Sequence, residues 1–335
     1  MNLQSVAQEL ILALRGRRSQ TAFSRRLGYK SNVAYAWESG RRAPTAAEAL
    51  RAASRVGVDV RAAVRRFYQA DPPWLAEQDP ATPAGVAAWL RDLRGDIPRV
   101  RVAQASGLSR YAVARALSGE AEPRLADFLR LVEAMSARAL DLVATLVDPS
   151  QLPSARARWR HLQAQRRLAV EQPYTQAVLR AVELVDYQAL PRHLDGWIAA
   201  RLGLSPEIEA ACLDLLAHAG ELRWDGQRWR PAGAQAVDTR SDPAHSRQLK
   251  AWWAKVGLDR LGQDPDGLWS YNVISVSEAD LHHIRELHLA YVRAVRAIVA
   301  ESAPAERVAV LNVQCFALDV PSPTIGHTPI QSSDG

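Results

Sequence analysis

The stretch SQTAFSRRLGYKSNVAYAWESGRRAP, residues 19–44, sets small polar side chains among basic ones. The amide of Asn32 can pair with adenine through two hydrogen bonds, and the hydroxyl of Ser31 can bond to several base edges. Tyr35 lies one helical turn beyond these two residues, so all three side chains share one face if the segment is helical. These residue types at this spacing favour the reading of base edges in double-stranded DNA.

Four neighbouring side chains suit the DNA backbone rather than the bases: Gln20, Lys30, Arg41 and Arg42. Gln20 begins a predicted helix, where backbone N–H groups and the side-chain amide can meet a phosphate. The three cations lie on either side of the polar residues, where they can bind phosphates and fix the orientation of the protein. A helical hairpin that only packs does not need arginines beside small polar residues, so the pattern favours DNA binding.

Local signals divide this region into four helices. Apolar residues recur at helical spacing over residues 4–16, and Ser19 can cap a second helix that runs to Leu27. A third helix is expected from about Ser31 to Glu38, and a fourth from Thr45 to about Val56. The residues expected to face the core are Ala22, Leu27, Val33, Ala34 and Trp37. The polar end of the third helix is then left outward, as in a helix-turn-helix whose second helix enters the major groove.

The stretch resembles the XRE-type, or lambda-repressor-like, helix-turn-helix. That family has Ser/Thr-Gln at the start of the bracing helix, then Leu-Gly, then Trp-Glu-Xaa-Gly, two basic residues, one further residue and Pro. The matching residues are Ser19-Gln20, Leu27-Gly28, Trp37-Glu38-Ser39-Gly40, Arg41-Arg42 and Pro44. The resemblance implies DNA contacts at Gln20, Ser31, Asn32 and Tyr35. Lys30 departs from the family, which usually has a capping Ser or Thr there, so Ser31 is the alternative cap.

Residues 98–123, PRVRVAQASGLSRYAVARALSGEAEP, repeat the same order of helix, glycine, capping serine and helix. The residues predicted to contact DNA in this second copy are Arg110 and Tyr111 for bases, and Arg115 for phosphate. Glu120 and Glu122 stand where the first copy has its basic pair, and carboxylates repel phosphate. Two interpretations stay open for this copy: DNA contact, or a scaffold or dimerisation role.

The second half of the chain has two further patterns. Three helices and two short strands around Asp225-Gly226 follow the winged-helix order. Its would-be reading helix contains acidic residues and no Lys or Arg, which favours packing or dimerisation, although arginines in the hairpin leave a phosphate contact open. The acidic residues are Glu207, Glu209 and Asp214, and the arginines are Arg223, Arg228 and Arg230. Further on, strands are expected over residues 270–277 and 306–318, with a long amphipathic helix between them that indicates a parallel crossover.

We therefore predict a mainly α protein with two tandem helix-turn-helix domains, a winged-helix-like domain and a small α/β C-terminal domain. The predicted boundaries are 1–67 for the XRE-type helix-turn-helix, 68–84 for a proline-rich linker, 85–150 for the second, divergent helix-turn-helix, 151–172 for a basic connector, 173–235 for the winged-helix-like domain, 236–319 for the α/β domain and 320–335 for a disordered tail.

From about Gly85 to Leu318 the sequence resembles a family of bacterial regulators with a divergent N-terminal helix-turn-helix and a C-terminal domain of unknown function. The segments that match are LSRYAVARALSG, IAARLGLSPEIEAACLDLLAHAGEL, YNVISVSEADLHHIRELHLAYVRAV and ERVAVLNVQCFALD. The resemblance implies transcriptional regulation but names no ligand or target. The N-terminal XRE-type unit is an addition to the domain order of that family.

The net charge of +6 is unevenly distributed along the 335 residues. Residues 1–66 contain 13 Lys and Arg against 4 Asp and Glu, and residues 151–171 contain 5 against 1. The other regions are near-neutral or acidic. Such a charge distribution suits a polyanion that is bound by the basic parts only.

Composition also excludes several classes. No apolar run approaches the ~18 residues of a membrane span, and the N-terminal charges follow the apolar residues, which is the reverse of a secretory signal. Cys212 and Cys315 fit no metal spacing and are expected to be buried small apolar residues in a reduced compartment. We expect a cytoplasmic protein that associates with the nucleoid when it is bound to DNA.

No enzyme, cofactor or metal is expected. His282 and His283 lie six and five residues before His288, whereas a helical metal pair needs a spacing of three or four. The sequence has no Gly-rich phosphate loop and no nucleophile elbow. Two pairs of tryptophans suit a core or an interface, with a small-molecule pocket as the alternative; they are Trp224 with Trp229 and Trp252 with Trp253.

The predicted function is that of a sequence-specific transcriptional regulator, with repression as the expected mode. It reads the major groove with the N-terminal helix-turn-helix and forms a homodimer through its C-terminal half. The rival hypothesis is an antitoxin-like or adaptor protein whose main partner is another protein, with DNA binding for autoregulation. A third is a repressor that senses a small-molecule effector in residues 240–319.

Overall fold

The computed structural model describes residues 1–232, 243–263 and 267–318, and this part of the chain is mainly helical. The first helices are α1 (Leu3–Arg15), α2 (Gln20–Arg26), α3 (Val33–Glu38), α4 (Ala46–Arg55), α5 (Val60–Tyr68) and α6 (Trp74–Glu77). They are followed by α7 (Pro83–Arg94), α8 (Arg99–Ser106), α9 (Arg110–Ser118), α10 (Leu125–Ser136) and α11 (Ala139–Leu146). The second half contains α12 (Pro153–Glu171), α13 (Tyr174–Val182), α14 (Val185–Ala189), α15 (Trp197–Leu202), α16 (Pro206–His218), β1 (Leu222–Trp224), β2 (Trp229–Pro231), α17 (Pro243–Arg260) and α18 (Glu278–Glu301).

Helices α1–α5, here called unit 1, correspond one by one to α7–α11, called unit 2. The same number of residues separates Gly28 from Gly107 and Gly40 from Gly119. All four glycines have positive φ, between 69° and 89°, where a side chain would be strained. The two units therefore share their turns as well as their helices.

Both units contribute to one continuous apolar core that runs from Val6 to Ala155. Within the predicted linker, residues 68–84, the chain forms α6 and buries Leu75 in this core. The indole of Trp74 stacks on that of Trp89, with 5.8 Å between the ring centres. The proline-rich segment is thus packed against the core and holds the two units together.

The basic connector forms α12, which is anchored to both units. The carboxylate of Glu9 in unit 1 accepts hydrogen bonds from the N–H and hydroxyl of Ser154 at 3.0 and 2.6 Å. At the other contact, Arg166 donates to both oxygens of Asp141 in unit 2 at 2.9 and 2.8 Å. Both partners of this second pair are about 5% exposed, so α12 is fixed by a buried ion pair.

A second apolar cluster contains side chains of α13–α16 and the β1–β2 hairpin. The predicted hairpin is confirmed, with Trp224 paired to Trp229 and Leu222 to Pro231 in antiparallel register. Tyr187 is fully buried in this cluster, and its burial raises the pKa of the phenol to about 12. The cluster packs the hairpin against α13 and α16.

The prediction of an α/β C-terminal domain is wrong. Residues 270–277 and 306–318 are not strands, although α18 does lie between them. A strand needs a neighbouring strand to accept and donate its backbone hydrogen bonds, and in the described residues the sheet consists of β1 and β2 alone. Cys315 in the second segment is exposed, contrary to expectation, whereas Cys212 is buried and its thiol pKa is raised to about 11 by desolvation.

The predicted tail, residues 320–335, lies outside the described residues. In the part of the chain that is described, no helix has both the length and the apolar character needed to cross a membrane.

Candidate nucleic-acid interface

Helix α3 separates the predicted core residues from the predicted base-reading residues. Val33, Ala34 and Trp37 are at most 5% exposed, as predicted. Ser31 and Asn32 are exposed, and Tyr35 is 42% exposed. The structure thus brings the three candidate base-reading side chains together on the outward face at the start of α3.

The start of α3 differs from the prediction. The helix begins at Val33 rather than at about Ser31, and its N-cap is Asn32, not Ser31 or Lys30. The Oδ1 atom of Asn32 accepts a hydrogen bond from the Tyr35 N–H at 3.3 Å. An amide that caps with its oxygen has only its nitrogen left as a donor to a base, so the two-bond pairing with adenine would compete with the cap.

The turn between α2 and α3 packs through Phe23. Phe23 is fully buried, whereas Ala22, which was expected to pack there, is exposed. The prediction for Ala22 is wrong because α2 is oriented so that the next residue, Phe23, faces the core. Leu27 is partly buried against the same core.

Glu38, at the end of α3, ties three helices together. Its Oε1 accepts from the Nε of Arg15 in α1 at 2.5 Å, and its Oε2 accepts from the amide of Gln20 in α2 at 2.6 Å. The carboxylate is 8% exposed. One of the two N–H donors of the Gln20 amide is therefore occupied. The other, and the backbone N–H groups at the start of α2, remain for the predicted phosphate contact.

The cations beside α3 have different surroundings. Lys30 and Arg41 are exposed, and the guanidinium of Arg41 lies over the ring of Tyr35, 5.1 Å from its centre. Arg42 instead donates to Glu48 at 2.5 Å while 48% of its side chain stays exposed. Arg41 is the arginine better placed for phosphate, because Arg42 already neutralises a carboxylate.

The predicted DNA-contact residues of unit 2 form a different face. At the start of α9, Arg110 is exposed and Tyr111 is 71% exposed. The guanidinium of Arg115 lies 5.5 Å from the centre of the Tyr111 ring, and its Nε is 3.9 Å from the Glu120 carboxylate. The three predicted contact residues of this unit are thus neighbours, and their types differ from those of α3.

The two glutamates of unit 2 have separate roles. Glu120 is exposed. Glu122 points to unit 1, where its Oε1 accepts from the N–H of Ala47 in the first turn of α4 at 3.0 Å. Its negative charge lies at a helix N-terminus, where it is stabilising, so the predicted repulsion from DNA applies to Glu120 rather than to Glu122.

The β1–β2 hairpin has few cations that remain available. Arg228 donates to the carbonyls of Gln188 and Leu190, and Arg230 donates to the Asp225 carboxylate at 2.7 Å. Hydrogen bonds from Arg230 and from the backbone of Arg228 and Gln227 lower the pKa of Asp225. Two of the three arginines in the hairpin therefore stabilise the fold, and Arg223 is the exposed one.

One of the acidic residues of helix α16, Glu209, also has a structural role. Glu209 is 1% exposed and accepts from the Ala199 N–H at 2.6 Å. Its burial raises the pKa of the carboxyl group, while the hydrogen bond and His193 act in the opposite direction.

The C-terminal region has many exposed apolar side chains. In residues 270–277 and 306–318, the exposed ones are Tyr271, Val273, Ile274, Val276, Val310, Leu311, Val313, Phe316 and Leu318. A shallow open groove lies between α17, α18 and residues 311–314 and is lined by Lys250, His288 and Val292 among others. Trp252 and Trp253 instead pack edge-on to each other and to Tyr174. Within the described ranges, no group of three or more metal-binding side chains occurs.

The contact between the units was missed from the sequence. It depends on the backbone carbonyls of Pro44 and Pro123 and on the carboxylate of Glu122. Pro44 matches the XRE-type pattern, and Glu122 was expected only to repel DNA. The constant spacing between the glycines and prolines of the two units was the available signal.

Residues 154–318 match the model of a domain of unknown function, DUF4423. The matched range begins in α12 and so follows both units. No curated protein matches the chain, and no solved structure matches it. The second half is therefore similar to a family whose description leaves its function open.

Proposed function

We propose that the protein is a sequence-specific DNA-binding transcriptional regulator that acts as a repressor. In this proposal, units 1 and 2 are helix-turn-helix domains, and α13–α16 with the β1–β2 hairpin form a winged-helix-like domain. The observation that carries the proposal is the face at the start of α3. There, exposed Ser31, Asn32 and Tyr35 lie above a buried apolar side and beside the cations Lys30 and Arg41.

The chemistry of this face supports base reading rather than a general role in solubility. Hydroxyl and amide groups discriminate bases by hydrogen bonding in the major groove. Cations beside them neutralise phosphates and fix the register of the helix. A solvated surface helix would not need its polar residues at one end and cations on the loops before and after it.

The proposal also includes a homodimer formed through the C-terminal half. The exposed apolar side chains of residues 270–277 and 306–318 support it, because soluble chains rarely leave large contiguous apolar patches in water. A second copy is the occupant that we favour, since two joined chains bind neighbouring DNA sites more tightly than one chain does.

The test is selection of DNA from a random duplex pool with the purified full chain, followed by binding measurements at several salt concentrations. We expect an enriched motif and an affinity that falls steeply with salt, since each neutralised phosphate contributes about one to the slope of log K against log salt. No enriched motif together with a shallow slope would contradict the proposal.

A second candidate function is an adaptor whose main partner is a different protein. The same exposed apolar surface supports it, because that surface fits any apolar partner. Sedimentation of the pure chain separates the two, since a homodimer forms without any other protein and an adaptor stays monomeric.

A further inference from the structure

Units 1 and 2 exchange backbone hydrogen bonds at equivalent positions. The N–H of Ala46 donates to the carbonyl of Pro123 at 2.9 Å, and the N–H of Leu125 donates to the carbonyl of Pro44 at 2.9 Å. Between them, Thr45 and Arg124 form an isolated antiparallel bridge. Pro44 corresponds to Pro123, and Ala46 to Leu125, at the spacing of the paired glycines. Such reciprocal contacts between equivalent residues are the property of a two-fold interface.

The helices repeat this reciprocity. Helix α1 of unit 1 packs on α10 of unit 2, and α7, the counterpart of α1, packs on α4, the counterpart of α10. Two further contacts each join a helix to its own counterpart, α4 to α10 and α5 to α11. This set of contacts is what a two-fold axis between the units produces.

Side chains and the core make this arrangement rigid. Glu122 caps the first turn of α4 across the interface, and Arg124 donates to the carbonyl of Ala43 at 2.9 Å. The residues at the interface, Ala46 and Leu125, are buried in the core that both units share. The units therefore have a fixed relative orientation and are not two domains on a flexible tether.

We propose that the two units form an intramolecular pair related by a pseudo-two-fold axis, so that a single chain reads two inverted half-sites that differ in sequence. The inference rests on the proposed DNA-binding function. A two-fold pair of helix-turn-helix units binds half-sites that lie about one helical turn apart, roughly 10 base pairs. Here both members of the pair belong to one chain.

The half-sites must differ because the two reading faces differ. Unit 1 presents Ser31, Asn32 and Tyr35, whereas unit 2 presents Arg110 and Tyr111. Arginine prefers guanine, where it can donate to O6 and N7, and an asparagine amide prefers adenine. We therefore assign a guanine contact to the half-site of unit 2, through Arg110.

The first test uses the full chain and the motif that it selects. Duplexes with either half replaced should bind at least about tenfold more weakly, and a duplex with both halves replaced should bind at the non-specific level. Inserting five base pairs between the halves should weaken binding as much as replacing one half, because it turns the halves to opposite sides of the duplex.

The second test assigns each half to a unit. Arg110→Ala should relax the sequence preference in one half only, and Asn32→Ser in the other half only. Arg247→Ala, which removes an exposed arginine from α17, is the control and should change neither half.

Two results would overturn the inference and leave the proposed function intact. One is a motif with a single half. The other is a motif with two identical halves that both respond to Asn32→Ser and not to Arg110→Ala, which would mean that two chains each read through unit 1. A pool without any enriched motif would overturn the proposed function as well.

Discussion

The guanidinium of Arg41 lies over the ring of Tyr35, 5.1 Å from its centre. The contact holds a cation beside the predicted base-reading face, where a phosphate would pass. Unit 2 contains a comparable pair, with Arg115 over Tyr111 at 5.5 Å. In both units a tyrosine of the predicted reading helix thus contacts an arginine, which follows the helix in unit 1 and belongs to it in unit 2.

Arg41→Ala should weaken the binding of every duplex to a similar degree and lower the salt slope by about 1. The reason is that a phosphate contact carries charge but no sequence information. Fluorescence anisotropy over a range of salt concentrations measures both quantities. Arg41→Lys should keep the slope, because it keeps the charge and loses only the stacking on Tyr35.

Arg247→Ala is the matched control for Arg41, since it removes the same charge from α17. Equal effects of Arg41→Ala and Arg247→Ala on the slope would show that net charge matters and that Arg41 has no local contact.

Asn32 has two separable roles, as the cap of α3 and as a predicted donor to a base. Asn32→Ser should keep the cap and the stability of the fold, because serine is nearly as good an N-cap as asparagine. It should nevertheless relax specificity at one base pair by about 1–3 kcal/mol. Asn32→Ala should lose the same specificity and about 1 kcal/mol of stability besides.

Urea unfolding and binding to a panel of single-base variants of the selected duplex measure these two effects for both substitutions. If Asn32→Ser bound the whole panel like the wild type, the side chain would serve as a cap only.

The helices near the reading face could be predicted because their signals are local. Ser19 caps α2 and Gly28 follows it, and the buried side of α3 follows from helical spacing. The start of α3 was misplaced since Lys30, Ser31 and Asn32 all precede it, and two of them are capping types. Which of these residues caps α3 depends on how α2 packs against α3, and that packing cannot be predicted from the local sequence pattern.

The contact between the units and the state of the C-terminal segments could not be predicted from local patterns. Glu122 can accept a hydrogen bond from the N–H of Ala47 only when the two units are packed together. Residues 270–277 alternate in hydrophobicity as a strand does, but alternation does not supply the second strand that a sheet requires. Both features depend on contacts between residues that are far apart in the sequence. A short window of sequence does not reveal such contacts.

The C-terminal apolar surface predicts a concentration-dependent homodimer. Ile274→Asp should shift the wild-type dimer towards monomer, because it places a charge in an apolar interface. Ile274 is 60% exposed in the single chain, so the fold itself should tolerate the change. Sedimentation equilibrium measures the shift, and Gln104→Asp, which adds the same charge at an exposed polar position in α8, outside the two apolar segments, is the control. A wild-type chain that is monomeric at all concentrations would contradict the prediction.

The buried Asp141 carboxylate should be important for stability, because it faces two guanidinium groups. Arg166 donates to it at 2.8 Å, and the Nε of Arg138 lies 3.4 Å away. Asp141→Ala should destabilise the fold by about 3–5 kcal/mol, as expected when one partner of a buried ion pair is removed. Asp127→Ala removes a more exposed partner, of Arg130, and should cost at most about 1 kcal/mol. Urea denaturation that gave equal losses for the two variants would refute the assignment.

Glu209 and Glu207, both in α16, should make stability depend on pH with opposite signs. Burial raises the pKa of Glu209, so the folded state holds that proton more tightly than the unfolded state does. Its contribution therefore becomes less favourable as pH rises from below the unfolded pKa through the raised folded pKa. A hydrogen bond with Ser205 lowers the pKa of Glu207, so its contribution is present above the unfolded pKa and is lost as pH falls.

Glutamine imitates the neutral carboxyl group, and this separates the two cases. Glu209→Gln should raise the melting temperature relative to the wild type, and the gain should be larger at pH 7 than at pH 4. Glu207→Gln should lower it at pH 7, and the loss should shrink towards pH 4. Thermal unfolding of both variants and the wild type across this range measures the differences directly. A gain for Glu209→Gln that did not change with pH would mean that packing, rather than the cost of the buried charge, causes it.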